Sequence, residues 1–100
     1  MPKQILSSAQ RKHLKKAAHH LNPLISIGKN SLSEALLKEF NNVIECHELV
    51  KAKVNTDDRS EFLEVCKKIE DLSEAILVDT IGRIGIFYKP SKTPKIILPS

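Results

Sequence analysis

The chain of 100 residues is poor in the residues that mark several common protein classes. It has two cysteines, three glycines, one tyrosine and no tryptophan. Cys46 and Cys66 cannot make the disulfide framework of a small secreted domain, so we expect two reduced, buried thiols. The C-x-x-C and H-E-x-x-H spacings are missing as well, and we therefore predict no metal site and no cofactor.

Long apolar stretches are also missing. No run of about 18 apolar residues occurs, so we expect no membrane-spanning helix. Residues 1–6 lack the apolar core of a secretory signal, which predicts a cytoplasmic protein. The length predicts one domain over residues 1–100, with little room for an enclosed active-site cleft.

Positive charge is concentrated at the two ends of the chain. Residues 1–20 carry five basic and no acidic residues, and residues 76–100 carry four basic residues and one acidic residue. A polyanion such as RNA is the simplest partner for this distribution. A solvated surface without a partner explains the charge about as well, so charge alone does not decide the function.

Hydrophobic spacing and capping residues predict three helices. The first begins with a capping box at residues 7–10 and ends before Pro23, which pushes its predecessor out of helical geometry. The second follows another capping box at residues 31–34. The third is capped by Asp57 or Asp58.

Four short segments have the composition of strands. Residues 24–27 and 49–55 precede and follow the second helix, and the second of these segments alternates between apolar and lysine side chains. Residues 75–81 and 84–88 form a predicted hairpin around Gly82-Arg83, because glycine at the first position of a two-residue loop suits a type II′ turn.

The resulting order is α-β-α-β-α-β-β, which predicts an α/β fold: a two-layer sandwich of helices on a mixed four-stranded sheet. Gly85 within the last strand is a candidate bulge. Residues 95–98 fit either an extra edge strand or a tail.

The turn at residues 28–31 carries the most specific chemistry. It leads into the second helix, whose first backbone N–H groups have no partner within the helix and favour an anion such as phosphate. Gly28 permits close approach, Lys29 adds a positive charge, and Asn30 and Ser31 add hydrogen-bond donors. An ordinary strand-to-helix turn remains the alternative interpretation.

Further basic residues add to this candidate site. Lys51 and Lys53 share one strand face as an exposed pair, and Arg83 occupies the hairpin tip. Tyr88 is a candidate for stacking on a base, although a tyrosine in an apolar strand is more often part of the core. The predicted RNA-binding residues are Lys12, Lys15, Lys16, Gly28, Lys29, Asn30, Ser31, Lys51, Lys53, Arg83 and Lys89.

Four motifs resemble those of one known family. They are Leu21-Asn22-Pro23 followed by Ile27-Gly28-Lys29-Asn30-Ser31-Leu32, His47-Glu48-Leu49-Val50-Lys51-Ala52-Lys53-Val54, Ile81-Gly82-Arg83 with Phe87-Tyr88-Lys89-Pro90, and Lys95-Ile96-Ile97-Leu98-Pro99. Together they resemble the YhbY family, the bacterial stand-alone CRM domains (chloroplast RNA splicing and ribosome maturation). The resemblance covers nearly the whole chain.

This resemblance implies a fold like the C-terminal domain of translation initiation factor three. It also implies direct RNA binding and association with precursors of the large ribosomal subunit. The G-x-x-G loop of the family falls on residues 28–31, where Ser31 replaces the usual glycine. Lys89 stands where the family often has arginine, so bidentate phosphate contact is lost there.

Our first hypothesis is a monomeric, non-enzymatic RNA-binding protein that assists assembly of the large ribosomal subunit. The second is a protein-interaction module that docks on a ribosomal protein and has no affinity for RNA. The third is a small thiol enzyme that uses Cys66.

Overall fold

The computed structural model describes residues 5–28, 33–90 and 96–98, which form three helices and one sheet. The helices are α1 (Ser8–Ala18), α2 (Glu34–His47) and α3 (Arg59–Leu72). The strands are β1 (Ile25–Ile27), β2 (Leu49–Val54), β3 (Ile76–Ile81) and β4 (Ile84–Tyr88). The predicted element order is confirmed. None of the helices in the described ranges is both long and apolar enough to cross a membrane.

Side-chain caps fix where the helices begin. At α1, the N–H of Gln10 donates to Ser7 Oγ at 3.1 Å and the N–H of Ser7 donates to Gln10 Oε1 at 3.0 Å, which confirms the predicted capping box. Asp58 caps α3. The predicted start of α2 is wrong by two residues, because Ser33 Oγ is the group that accepts a helix N–H, that of Leu36 at 3.2 Å.

The sheet has the strand order β1-β2-β4-β3. β1 runs parallel to β2, with α2 as the crossover, and β4 is antiparallel to both β2 and β3. This confirms the predicted mixed four-stranded sheet. We call the end of the sheet at Ile27, Val54 and Gly82 the loop end, and the end at Leu49 and Tyr88 the far end.

The β3–β4 turn has the predicted chemistry. Gly82 has a φ of +59°, whereas Arg83 keeps a negative φ. Only the first of the two loop residues is therefore left-handed, which is the type II′ pattern. The predicted bulge exists but lies elsewhere, since the register shifts between Leu77 and Asp79 in β3 while Gly85 is paired on both sides.

Gly85 is instead required by packing. A Cβ at this position would lie 2.9 Å from the Phe87 ring and 3.0 Å from Cys66 Sγ. Both neighbours belong to the buried core and have little freedom to move. The glycine therefore lets α3 lie close to β4.

Helices cover both faces of the sheet. On one, the α1 face, Leu14 and Ala18 of α1 pack with Leu49, Ile86 and Tyr88. Successive strand residues point to opposite sides, so the residues between these belong to the other face, which we call the α2–α3 face. Its buried residues include Phe40, Ile44, Val50, Ala52, Phe62, Cys66 and Phe87. The predicted sandwich of helices on a sheet is confirmed, and α1 adds cover on the second side.

Residues 96–98 are not in a strand. The N–H of Ile96 donates to the carboxylate of Glu48 at 3.3 Å, and Ile96 and Leu98 pack against the buried cluster of the α1 face. This segment therefore behaves as a tail that extends the core. Lys95, the first residue of the candidate strand, lies outside the described residues.

We predict that Gly85→Ala lowers the free energy of unfolding by about 1–3 kcal/mol, the usual effect of overpacking a filled core. Combining it with Cys66→Ala should give a loss smaller than the sum of the two single losses, because the Sγ contact is gone. Urea denaturation measures both. If Gly85→Ala lowers the free energy of unfolding by less than about 0.5 kcal/mol, the range of surface substitutions, the core can adjust to the added methyl group. Ser60→Ala, on the exposed side of α3, is the control.

Candidate nucleic-acid interface

The loop end of the sheet joins segments that are far apart in the sequence. The N–H of Asn55 donates to the carbonyl of Ile27 at 2.7 Å, and the N–H of Val54 donates to the carbonyl of Arg83 at 2.9 Å. These bonds hold the β3–β4 turn and the end of β1 on either side of β2. Gly28, which follows Ile27, and Arg83 therefore lie at the same end of the molecule.

One row of residues crosses all four strands here, on the α1 face. Lys53 pairs with Ser26 in β1 and with Ile84 in β4, and Ile84 pairs with Ile81 in β3. Ser26 and Lys53 are exposed, Ile84 is half-buried and Ile81 is 43% exposed. We call these four residues the exposed row, because α1 leaves them accessible. They present a cation beside two partly exposed isoleucines.

The lysines of α1 differ in their partners. Lys12 and Lys16 are exposed and make no ion pair with any described residue. Lys15 Nζ lies 3.2 Å from Asp79 Oδ2. The pKa of Asp79 is lowered, first because the N–H of Thr80 donates to its carboxylate and then because Lys15 lies beside it. Asp79 therefore neutralises part of the charge of Lys15, whereas no described acidic side chain does so for Lys12 or Lys16.

Lys51 does not share the exposure of Lys53. The two residues lie on the same face of β2, as predicted, but the prediction that both are exposed is wrong. Lys51 is 9% exposed, and its Nζ donates to the carbonyl of Leu21 at 3.1 Å. It ties the connection between α1 and β1 to the sheet. Its predicted role in RNA binding stays a prediction.

Arg83 occupies the turn, as predicted, and its guanidinium is held in place. Nε donates to the carbonyl of Thr56 and NH2 donates to the carbonyl of Asp57, both at 2.8 Å. These bonds tie the β3–β4 turn to the segment between β2 and α3. They fix the plane of a half-buried cation at the loop end.

Lys89 lies at the far end instead. It follows Tyr88, which pairs with Leu49 at the start of β2, and its Nζ lies 3.0 Å from Glu45 Oε1. At about 3.3 Å per residue, β2 spans roughly 13 Å between Leu49 and Lys53. The predicted basic residues therefore do not form one compact patch.

Lys29, Asn30 and Ser31, the centre of the predicted phosphate-binding loop, lie outside the described residues. The described start of α2 is less suited to an anion than predicted. Ser33 already caps one of its N–H groups, and Glu34 places a carboxylate in the first turn. That carboxylate complements the helix dipole and would repel a phosphate at the same place.

The thiol and tyrosine candidates belong to the core. Tyr88 is 2% exposed, which leaves no face for a base, and its pKa is raised by burial and then by the nearby Glu48. Burial raises the pKa of Cys66 to about 11. Cys46 is exposed. Residues 5–28, 33–90 and 96–98 contain no group of three potential metal ligands.

Sequence reasoning missed Ser26, Asn55, Ile81 and Ile84 as members of this surface. Asn55 Nδ2 donates to Ser26 Oγ at 3.0 Å, across the β1–β2 junction. The alternation of residues 25–27 indicates that Ser26 faces away from its neighbours. Only the register of the strands shows that it lies beside Lys53.

A family model, two curated relatives and a solved structure all indicate the same protein family. The family model of the CRS1/YhbY (CRM) domain matches residues 6–89. A Haemophilus influenzae protein named "RNA-binding protein" is 43% identical, with 94% of this chain and 95% of the relative covered. The Bacillus subtilis protein named "Probable RNA-binding protein YqeI" is 31% identical, with 91% and 95% covered. The solution structure of the Staphylococcus aureus protein SAV1595 superimposes on this fold with a TM-score of 0.83, and the two sequences are 28% identical. The match covers 95% of this chain and the whole SAV1595 chain.

The two cysteines should react very differently. At pH 8 we expect a thiol-specific reagent to modify Cys46 quickly in the folded protein and Cys66 only after unfolding, because a buried thiol with a pKa near 11 is protonated. Counting modified thiols before and after adding denaturant measures this. Rapid modification of Cys66 in the folded protein would revive the thiol-enzyme hypothesis; Cys46→Ser isolates the Cys66 signal.

Proposed function

The chain belongs to the CRS1/YhbY (CRM) domain family, and from that premise we propose that it binds RNA through the loop end of its sheet. The relatives named above are described as RNA-binding proteins. The observation that carries the proposal is the exposed row. Its Lys53 makes no ion pair with a described residue and lies beside Ser26, two residues before the predicted loop begins at Gly28.

Electrostatics favours the same surface. Lys12 and Lys16 project from α1, the helix that covers the same face of the sheet as the exposed row. Unpaired lysines near one surface attract a polyanion and release its counterions when it binds. Lys29 of the predicted loop would add another cation next to Gly28.

We further propose that the RNA is ribosomal, in precursors of the large subunit, and that the protein acts on it as a monomer in the cytoplasm. The family resemblance supports this assignment. The proposed activity is binding and not catalysis, since Cys66 is a protonated core thiol near neutral pH.

Lys53→Glu should weaken RNA binding about tenfold at low salt and reduce the slope of log affinity against log salt by about one unit, because one phosphate contact is lost. Fluorescence anisotropy with labelled ribosomal RNA fragments at several salt concentrations measures both. Lys67→Glu is the matched control, because Lys67 is an exposed lysine of α3, on the opposite side of the sheet.

Equal losses for the two variants would show that only net charge matters, and would remove the exposed row from the binding site. An affinity of the wild-type protein that does not depend on salt would contradict phosphate binding altogether. Lys29→Glu, with circular dichroism as the test of folding, reports on the loop in the same way.

The protein should co-sediment with precursors of the large subunit and also shift purified precursor ribosomal RNA in a gel. The Lys53→Glu protein should be weaker in both experiments, because both depend on the same contacts. Co-sedimentation without any affinity for the purified RNA would favour the alternative, a module that docks on a ribosomal protein.

A further inference from the structure

A small cleft opens at the loop end, beside the exposed row. It has a volume of about 400 Å³ and is lined by Lys53, Val54, Asn55, Thr56, Asp57 and Arg83. This volume falls in the range of about 300–1,000 Å³ that is typical of small-ligand sites. The lining comes from the end of β2, the segment before α3 and the β3–β4 turn, so three parts of the fold build it.

Arg83 gives the cleft a fixed planar group. Its Nε and NH2 are bound to the carbonyls of Thr56 and Asp57, whereas NH1 makes no hydrogen bond with a described residue. Guanidinium planes are surfaces on which unstacked bases of single-stranded RNA pack. Because the plane is already ordered by the protein, little further side-chain entropy is lost when a base packs against it.

Asp57 argues against a phosphate as the occupant of the cleft. Its side chain is exposed, and it makes no ion pair with a described residue. The Asp57 carboxylate would repel a phosphate, whereas it can accept hydrogen bonds from the N–H groups of a base. The cleft also holds a hydrogen-bond donor, the ammonium group of Lys53. A ligand with both N–H donors and a carbonyl acceptor on one edge fits this set.

We propose that the cleft binds one unpaired nucleobase of the RNA, and that guanine fits it best. Guanine presents adjacent N1–H and N2–H groups, which suit the two oxygens of Asp57, and an O6 acceptor, which suits Lys53. The inference rests on the proposed RNA-binding function. It adds that the protein reads a base beside the phosphate contacts of the exposed row.

Three labelled oligouridines of about ten nucleotides test the inference. The first carries one central guanosine, the second inosine, which lacks the 2-amino group, and the third an abasic site. We expect the wild-type protein to bind the guanosine oligomer about tenfold more tightly than the abasic one, with inosine in between, because a well-formed bidentate base contact gives discrimination of this size.

Asp57→Asn should abolish the preference for guanosine over inosine without weakening the binding of the abasic oligomer, because the loss of a carboxylate reduces the repulsion of the RNA phosphates. The amide keeps only one acceptor, so it cannot accept both N–H groups. Asp58 and not Asp57 caps α3, so the substitution spares the helix cap. Asp71→Asn is the matched control, because Asp71 is an exposed acid near the other end of α3, and it should keep the preference.

Equal wild-type affinity for all three oligomers, with a steep salt dependence, would overturn the base-binding cleft and leave the proposed function standing. An unchanged guanosine preference in the Asp57→Asn protein would overturn the role of Asp57. If no oligomer binds at low salt, the base-binding inference fails, and titration with precursor ribosomal RNA decides separately whether the proposed function fails too.

Discussion

The position of β2 between β1 and β4 determines how the candidate binding groups of the exposed row are arranged. Ile25 and Ile27 are buried in the core, and they hold β1 in a register that places Ser26 beside Lys53. A shift of one residue would turn both isoleucines to the solvent and bury the serine. The burial of two apolar side chains thereby positions a polar pair on the opposite face.

Several cationic side chains donate hydrogen bonds to backbone carbonyls and so stabilise the fold. Arg11 NH1 donates to the carbonyls of Leu77 at 3.0 Å and Val78 at 2.9 Å, at the bulge of edge strand β3. Lys51 and Arg83 also donate to backbone carbonyls. Hydrogen bonds from charged donors contribute about 1.5–3 kcal/mol each. A basic sequence therefore yields fewer ligand-facing charges than its composition indicates.

The two proposals divide the work of recognition between neighbouring surfaces. Contacts to phosphates position a protein on its RNA, whereas contacts to base edges provide specificity. Lys53 belongs to both the exposed row and the cleft, so the two kinds of contact meet at one residue. Asn55 connects them as well, because it lines the cleft and donates to Ser26 of the exposed row.

The order of the elements, the first helix cap and the type II′ turn could be predicted from the sequence, because capping, periodicity and turn chemistry depend on residues a few positions apart. The prediction that α1 continues up to Pro23 is wrong, because the helix ends at Ala18. Local patterns also do not show that Lys51 is buried or that Gly85 makes room for Cys66. Those features depend on contacts between distant segments, and only the packing of the helices against the sheet decided them.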